Sequence, residues 1–296
     1  MPAAGAARWM GVTATIPSDL PGLVEVVADR LWMLGPAAIE EREVPVGTML
    51  LAGFTEAGRA EVAAAVATRA GCSSVTVATI EDHGLDGWRT WARPEHAGPF
   101  DLVPSWLDAP SQAADRLVLR IDPGTTFGSG SHPTTRLVLA RLARLATEAD
   151  VPPARVLDVG CGSGILSVAA ARLGTRSVTA IDSDPHAPAV TATNAARNQV
   201  AARISATDHP LAQLAATGQI FDVVLANLLA PVVTELASDL VAVLSPTGRL
   251  VVSGLLADRW EATVAHLRGV EPLAVDLEDG WAAITLCRSH PSPGAG

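Results

Sequence analysis

The segment Val156-Leu157-Asp158-Val159-Gly160-Cys161-Gly162-Ser163-Gly164-Ile165-Leu166 sets the tightest limit on how this 296-residue chain can fold. A short apolar strand runs into a glycine loop that opens a helix, a junction that open α/β sheets place at their carboxyl edge, where nucleotides bind. Glycines there let the backbone approach a ligand closely. The spacing is Gly-x-Gly-x-Gly, not the Gly-x-Gly-x-x-Gly that cradles a pyrophosphate on a helix N-terminus, so Gly160 and Gly162 point to an adenosine ligand without phosphates. The plain alternative is a tight strand-to-helix turn with no ligand. Cys161 needs no redox role in either case.

The strand-to-helix alternation then repeats toward the C-terminus. Strands are predicted over 155–159, 178–182, 203–207, 221–227 and 249–253, with helices over 165–173, 185–198, 228–244 and 257–267. Apolar strands separated by amphipathic helices predict a mostly parallel sheet covered on both faces. The last two strands, 270–277 and 281–288, are joined only by Glu278-Asp279-Gly280. So short a turn permits an antiparallel edge hairpin and no crossover. Ahead of this Rossmann-like α/β half, strands at 9–16, 38–44, 48–54 and 74–80 interleave with helices at 18–34 and 56–70, the second stopped by Gly71. That order predicts a small ferredoxin-like α+β module. Residues 82–116 show no sustained period; Trp88, Trp91 and Trp106 are scattered among Gly and Pro as packing surface. The expected division is therefore 1–81, a linker over 82–116, and 117–296.

Candidate site residues stand at the predicted strand ends. Asp182 ends the second strand of the α/β half, where a carboxylate can accept hydrogen bonds from both ribose hydroxyls. Asp184 beside it suits a helix cap. Asp208 follows the third strand and reads either as a contact to an adenine amino group or as a solvated loop carboxylate. Asn227 ends the fourth strand, where its carbonyl can accept an N–H bond and orient an amine; it could also cap the next helix. Upstream, the Gly-, Ser- and Thr-rich stretch 122–135 suits a lid that enters a helix, with His132 and its threonines at the cap.

Bulk properties exclude several classes. A formal net charge of −10 with no lysine argues against a surface built for nucleic-acid phosphates and favours a basic protein partner. No apolar run approaches the roughly 20 residues of a membrane span, and the first residues do not read as a secretory signal, so the expected location is cytoplasmic. Cys72, Cys161 and Cys287 lack the spacing of a zinc site or disulfide framework and are expected to be reduced. After Asn227 comes Leu228-Leu229-Ala230 rather than Pro-Pro and an aromatic ring, and the chain has no tyrosine, which disfavours a stacked nucleobase as the molecule held there.

The segment Asp122–Thr135 with its His-Pro-Thr-Thr ending, the glycine loop Asp158–Leu166, and Asn227-Leu228-Leu229-Ala230 together resemble the ribosomal protein L-eleven methyltransferases. This is the PrmA family of class I S-adenosylmethionine-dependent methyltransferases. The resemblance implies that Thr135, Gly160, Asp182 and Asn227 contact S-adenosylmethionine, with Phe127 and His132 in its cover. It also implies methylation of lysine ε-amines and the α-amine of a basic ribosomal protein presented by the N-terminal module. The chain departs from the family pattern at Thr125-Thr126, Ser129, Ser131 and Leu228. The competing expectations are a lysine methyltransferase of another protein, a non-catalytic binding module, and a nicotinamide-dependent oxidoreductase.

Overall fold

The computed structural model describes residues 9–20, 22–36, 38–54, 56–80, 93–108, 116–124, 126, 128, 130–148 and 152–289. Trp88, Trp91 and Phe127 lie outside them. Two compact units result, one up to Ala92 and one from Arg93.

The first unit contains β1 (Trp9–Pro17), α1 (Gly22–Trp32), β2 (Ala38–Val44), β3 (Gly47–Phe54), α2 (Ala57–Ala70) and β4 (Ser74–Ile80). Its antiparallel sheet runs β2-β3-β1-β4, the ferredoxin-like order expected from the sequence. Alternation along the strands buries Val12, Ala14, Ile16, Leu50, Ala52 and Phe54 in one core with Val27 and Leu31 of α1 and Ala60, Ala63 and Ala67 of α2. Helix α2 stops where Gly71 turns to φ 102°. The Gly71 N–H donates to Thr68 O and the Cys72 N–H to Ala67 O, a Schellman cap that satisfies two terminal carbonyls.

The second unit begins with β5 (Glu95–Ala97), β6 (Phe100–Pro104) and β7 (Leu117–Ile121), a small sheet in which β6 and β7 are parallel. The linker expected over 82–116 is corrected here for residues 95–104. Ala97, Phe100 and Leu102 are buried in the same core as Leu119, Ile121, Leu137 and Leu142. Strands of three and five residues are too short to show a period, and the Gly98-Pro99 turn between them looks like linker composition.

There follow α3 (Pro133–Glu148), β8 (Arg155–Val159), α4 (Ile165–Arg172), β9 (Ser177–Ile181), α5 (Ala187–Arg197), β10 (Ile204–Thr207), α6 (Leu211–Ala216) and β11 (Phe221–Asn227). The chain then continues through α7 (Ala230–Glu235), α8 (Ala237–Ala242), β12 (Leu244–Leu256), α9 (Trp260–Val264), β13 (Val270–Glu278) and β14 (Trp281–Arg288). The large sheet runs β10-β9-β8-β11-β12-β14-β13, parallel through β12, with β14 antiparallel to both neighbours. This is the class I methyltransferase sheet with its antiparallel edge hairpin. Because both faces are covered, successive strand residues enter different cores. Val156, Val223, Leu225 and Val251 pack with α3 and α4, while Leu157, Val224, Ala226 and Val252 pack with α7 and α8. Where 228–244 was expected to be one helix, the chain forms two short ones broken at Leu236. Among the described residues no helix is long and apolar enough to cross a membrane, and no cluster of metal-ligating side chains occurs.

Candidate active site

Strand register builds the site. Val159, Ile181, Thr207 and Ala226 are aligned across β8, β9, β10 and β11. The residues next in the chain, Gly160, Asp182, Asp208 and Asn227, therefore form one row at the carboxyl edge. At about 4.8 Å per strand, Asp208 and Asn227 end up about 14 Å apart. The strand order reverses between β8 and β11, the position where open α/β sheets leave a binding crevice.

The glycine loop folds back on β9 rather than presenting its amides outward. Gly160 and Cys161 N–H donate to Ile181 O at 2.8 and 3.1 Å, and Gly164 N–H donates to Cys161 O at 2.7 Å. Gly162 N–H donates to Asp182 Oδ2 at 2.8 Å, and Asp184 N–H to Asp182 Oδ1 at 2.9 Å. Each Asp182 oxygen thus holds one backbone amide and keeps a second acceptor direction. With these amides committed, the loop is not a phosphate cradle, which removes the main physical support for a dinucleotide. Cys161 is buried, burial pushes its thiol well above the usual range, and it accepts a hydrogen bond from Thr191 Oγ1 at 3.4 Å. It is no nucleophile.

Asn227 does not cap a helix, because α7 starts at Ala230 with Leu229 at its N-cap. Its Nδ2 instead donates to Thr135 Oγ1 at 3.3 Å, joining the end of β11 to the first turn of α3 across 92 residues of sequence. The structure thereby brings Gly160, Gly162, Asp182, Asn227 and Thr135 to one edge. Asp208 shares the row but is exposed. Asp184 accepts the His186 N–H at 2.9 Å just before α5, as a capping residue would. His132 Nδ1 lies 2.8 Å from Thr134 Oγ1 and faces the Thr134 N–H, and its ring meets Trp281 edge-on at 5.0 Å. Burial and the charge of Arg136 hold its pKa below the usual value, so the ring is neutral at pH 7.

Three supports were not legible as site residues. Asn194 on α5 and Asn198 at its C-cap, a helical turn apart, are buried and act as backbone clasps. Asn194 Nδ2 donates to Asp122 O and Ser163 O, both at 2.8 Å, and Asn198 Nδ2 donates to Arg120 O at 2.7 Å. They pin the start of the upstream loop to the glycine loop. Two amides on the apolar face of an amphipathic helix were the available signal, since buried amides demand partners.

The third is Asp158, fully buried in an apolar strand. Gly164, at the N-cap of α4, provides no capping side chain, and Asp158 Oδ2 substitutes by accepting Ser167 N–H at 3.1 Å and Ser167 Oγ–H at 2.6 Å. Its Oδ1 has no partner among the described residues. Burial raises its pKa to about 6, the charge of Asp182 adds to the rise, and the Ser167 bonds oppose it. A folded-state pKa above the unfolded value means that the folded chain takes up the proton first, so this group's contribution to stability falls as pH rises from about 4 to about 6. Asp158→Asn keeps an acceptor for Ser167 and removes the titration. It should flatten the pH dependence of the melting temperature over that window, and an unchanged profile would contradict the assignment.

Helix α3 carries Thr134 and Thr135 in its first turn, directly after His132, and its position is fixed by charge as well as packing. Arg141 meets Asp276 at 2.5 Å, Arg144 meets the same carboxylate at 3.0 Å, and Arg136 meets Glu278 at 2.6 Å. All three bonds run to the β13–β14 hairpin.

Residues 29–289 match the family model described as ribosomal protein L11 methyltransferase (PrmA). The chain belongs to that family. A ribosomal protein L11 methyltransferase of Synechococcus sp. (strain RCC307) is 36% identical over 310 aligned residues, covering 98% of this chain and 100% of the relative. One from Geobacter sulfurreducens is 35% identical, with 94% of this chain and 97% of the relative covered. The crystal structure of the ribosomal protein L11 methylase from Lactobacillus delbrueckii subsp. bulgaricus superposes with a TM-score of 0.57 at 31% identity, over 64% of this chain and 95% of that one. As a PrmA-family member this chain is a methyltransferase that uses S-adenosylmethionine. The site fits that cofactor: Asp182 offers paired acceptors at the end of β9, the loop provides close backbone approach, and no phosphate cradle is present among the described residues.

Proposed function

We propose that the chain methylates amine nitrogens of ribosomal protein L11, namely lysine ε-amines and the N-terminal α-amine. The observation that carries this reading is the joining of Asn227 to Thr135 in the same strand-end row as Gly160 and Asp182. Asp182 accepts the ribose hydroxyls, the backbone at Gly160 and Gly162 borders the adenosine, and Thr135 and Asn227 border the methionine end. S-adenosylmethionine supplies a methyl carbon made electrophilic by its sulfonium.

Asn227 Nδ2 is turned toward Thr135, and its Oδ1 is engaged by no described residue. That oxygen is suited to accept an N–H bond from the incoming amine and aim its lone pair at the methyl group, which is catalysis by orientation. The amine must arrive neutral. Free lysine has a pKa near 10.4, and a partly buried cleft disfavours the ammonium form and lowers that value. His132, whose Nδ1 is engaged by Thr134, is assigned to the cover. A net charge of −10 suits a basic substrate, and the cytoplasm is the location proposed for a chain that acts on a ribosomal protein.

Intact-mass analysis of purified L11 after incubation with the chain and S-adenosylmethionine tests the reading. Methyl groups mapped to lysine side chains or the α-amine support it. Unmodified L11, or modification of other side chains, overturns it.

The first unit is assigned to presenting that substrate, since the strand-end row belongs entirely to the second. A fragment cut to begin at Arg93 keeps β5 and β6 with their buried Phe100 and Leu102. It should bind S-adenosylmethionine with nearly the affinity of the full chain while its KM for L11 rises steeply, because tethered presentation supplies effective concentration. Equal KM values for fragment and full chain would refute this division of labour.

A further inference from the structure

The roles proposed for Asp182, Thr135 and Asn227 leave a bulge in β12 unexplained. Ser253 pairs with Ala283 and Leu255 with Ala282, so Gly254 is an extra residue between them, with φ +86°. On its other side β12 is in register with β11, Ser253 opposite Asn227. The bulge therefore lies beside the residue assigned to orient the acceptor amine. Bulges next to active sites re-aim the neighbouring chain.

The contact at this bulge is backbone on backbone. A Cβ on Gly254 would lie 2.3 Å from Leu228 O and 2.8 Å from Leu228 C. No side-chain rotation relieves that clash; the Asn227–Leu228 segment itself would have to move. The same segment is held on two further sides. Leu228 N–H donates to Ser253 O at 3.0 Å, and the Leu228 side chain fills the space where a Cβ on Gly160 would stand, with Cδ2 2.4 Å away. Leu228 is thus lodged between the bulge and the glycine loop, and the residue before it is Asn227.

From this we infer that Gly254 is a positioning residue for methyl transfer: the missing side chain lets the Leu228 backbone settle against β12, which sets the height of the Asn227 amide above the glycine loop. The inference rests on the orienting role of Asn227. It adds that this orientation is fixed from behind, by a residue that touches neither cofactor nor substrate.

Gly254→Ala should lower kcat by about a hundredfold, the scale of a displacement near 1 Å at a reacting centre. The affinity for S-adenosylmethionine should change far less. Left-handed strain alone must be separated from the clash, and Gly269 provides the control: its φ is also +86°, and nothing lies within 4 Å of its would-be Cβ. Gly269→Ala should lower the melting temperature and leave kcat intact. Because Gly254 acts through Asn227, Gly254→Ala should cost no further kcat in an Asn227→Ala background. Full kcat in Gly254→Ala, a comparable kcat loss in Gly269→Ala, or losses that simply multiply in the double variant would each overturn the proposal.

One measurement needs neither substrate nor variant. In the wild-type chain the Leu228 amide should exchange with deuterium as slowly as the interior amides of β11, and exchange at the rate of an exposed loop would overturn the proposal even if Gly254→Ala fails to fold. If the wild-type chain transfers no methyl group, the functional reading has failed, and the exchange result still decides whether the bulge holds the segment.

Discussion

Asn227→Ala should lower turnover at saturating S-adenosylmethionine by about a hundredfold or more, because orientation at a reacting centre is worth factors of that size. The substitution removes the Oδ1 that would accept the amine N–H and the Nδ2 that donates to Thr135 Oγ1 at 3.3 Å. Those two losses have different signatures. Losing the bond to Thr135 loosens the methionine end and weakens cofactor binding, whereas losing Oδ1 lowers kcat with cofactor saturating. Thr135→Val isolates the first loss, since it keeps the shape and removes the hydroxyl. Single-turnover rates on both variants should show a small defect in Thr135→Val and a large one in Asn227→Ala. If excess cofactor fully restored Asn227→Ala, Asn227 would be a cofactor contact and no more.

Asp182→Ala should weaken S-adenosylmethionine binding by about 2–3 kcal/mol, the scale of hydrogen bonds to a charged group, which corresponds to roughly 30- to 150-fold in Kd. The carboxylate also receives the Gly162 and Asp184 amides, so Ala removes the loop's anchor along with the ribose acceptors. Asp182→Asn should not rescue much. An amide has only one oxygen, so one of the two backbone N–H groups would face an NH2 and go unsatisfied. Calorimetric titration of S-adenosylmethionine into both variants is the check, and wild-type affinity in either would remove Asp182 from the binding assignment.

Much of the catalytic unit was readable because its signals are local. A five-residue apolar strand, three glycines and a helix lie within one short segment, and the edge hairpin is implied by a turn too short for any crossover. The first unit was readable for a related reason: its strand and helix periods are long, and Gly71 supplies the capping conformation of α2. Elements that depend on distant partners were not. Strands β5 and β6 are held because Ala97, Phe100 and Leu102 are buried in one core with Leu137 and Leu142 of α3, and strands of three and five residues do not announce that. The clasps from Asn194 and Asn198 to Ser163, Asp122 and Arg120 join residues 31 to 78 positions apart. Asp158 stood in plain view inside the glycine motif, but its service to α4 through Ser167 needs the helix to fold back over the strand. The bulge at Gly254 is visible only once β12 has a neighbour on each side.

We propose that this strand-end row moves a methyl group from S-adenosylmethionine to a protein amine. The most direct test is to incubate the full chain with methyl-labelled S-adenosylmethionine and an extract containing both ribosomal protein and ribosomal RNA, then trace the label. Label should appear in one ribosomal protein, be recovered after hydrolysis as methylated lysine or a methylated terminal amine, and be absent when Asn227→Ala replaces the wild-type chain. Label in RNA, or no transfer by a chain that binds S-adenosylmethionine, would contradict it.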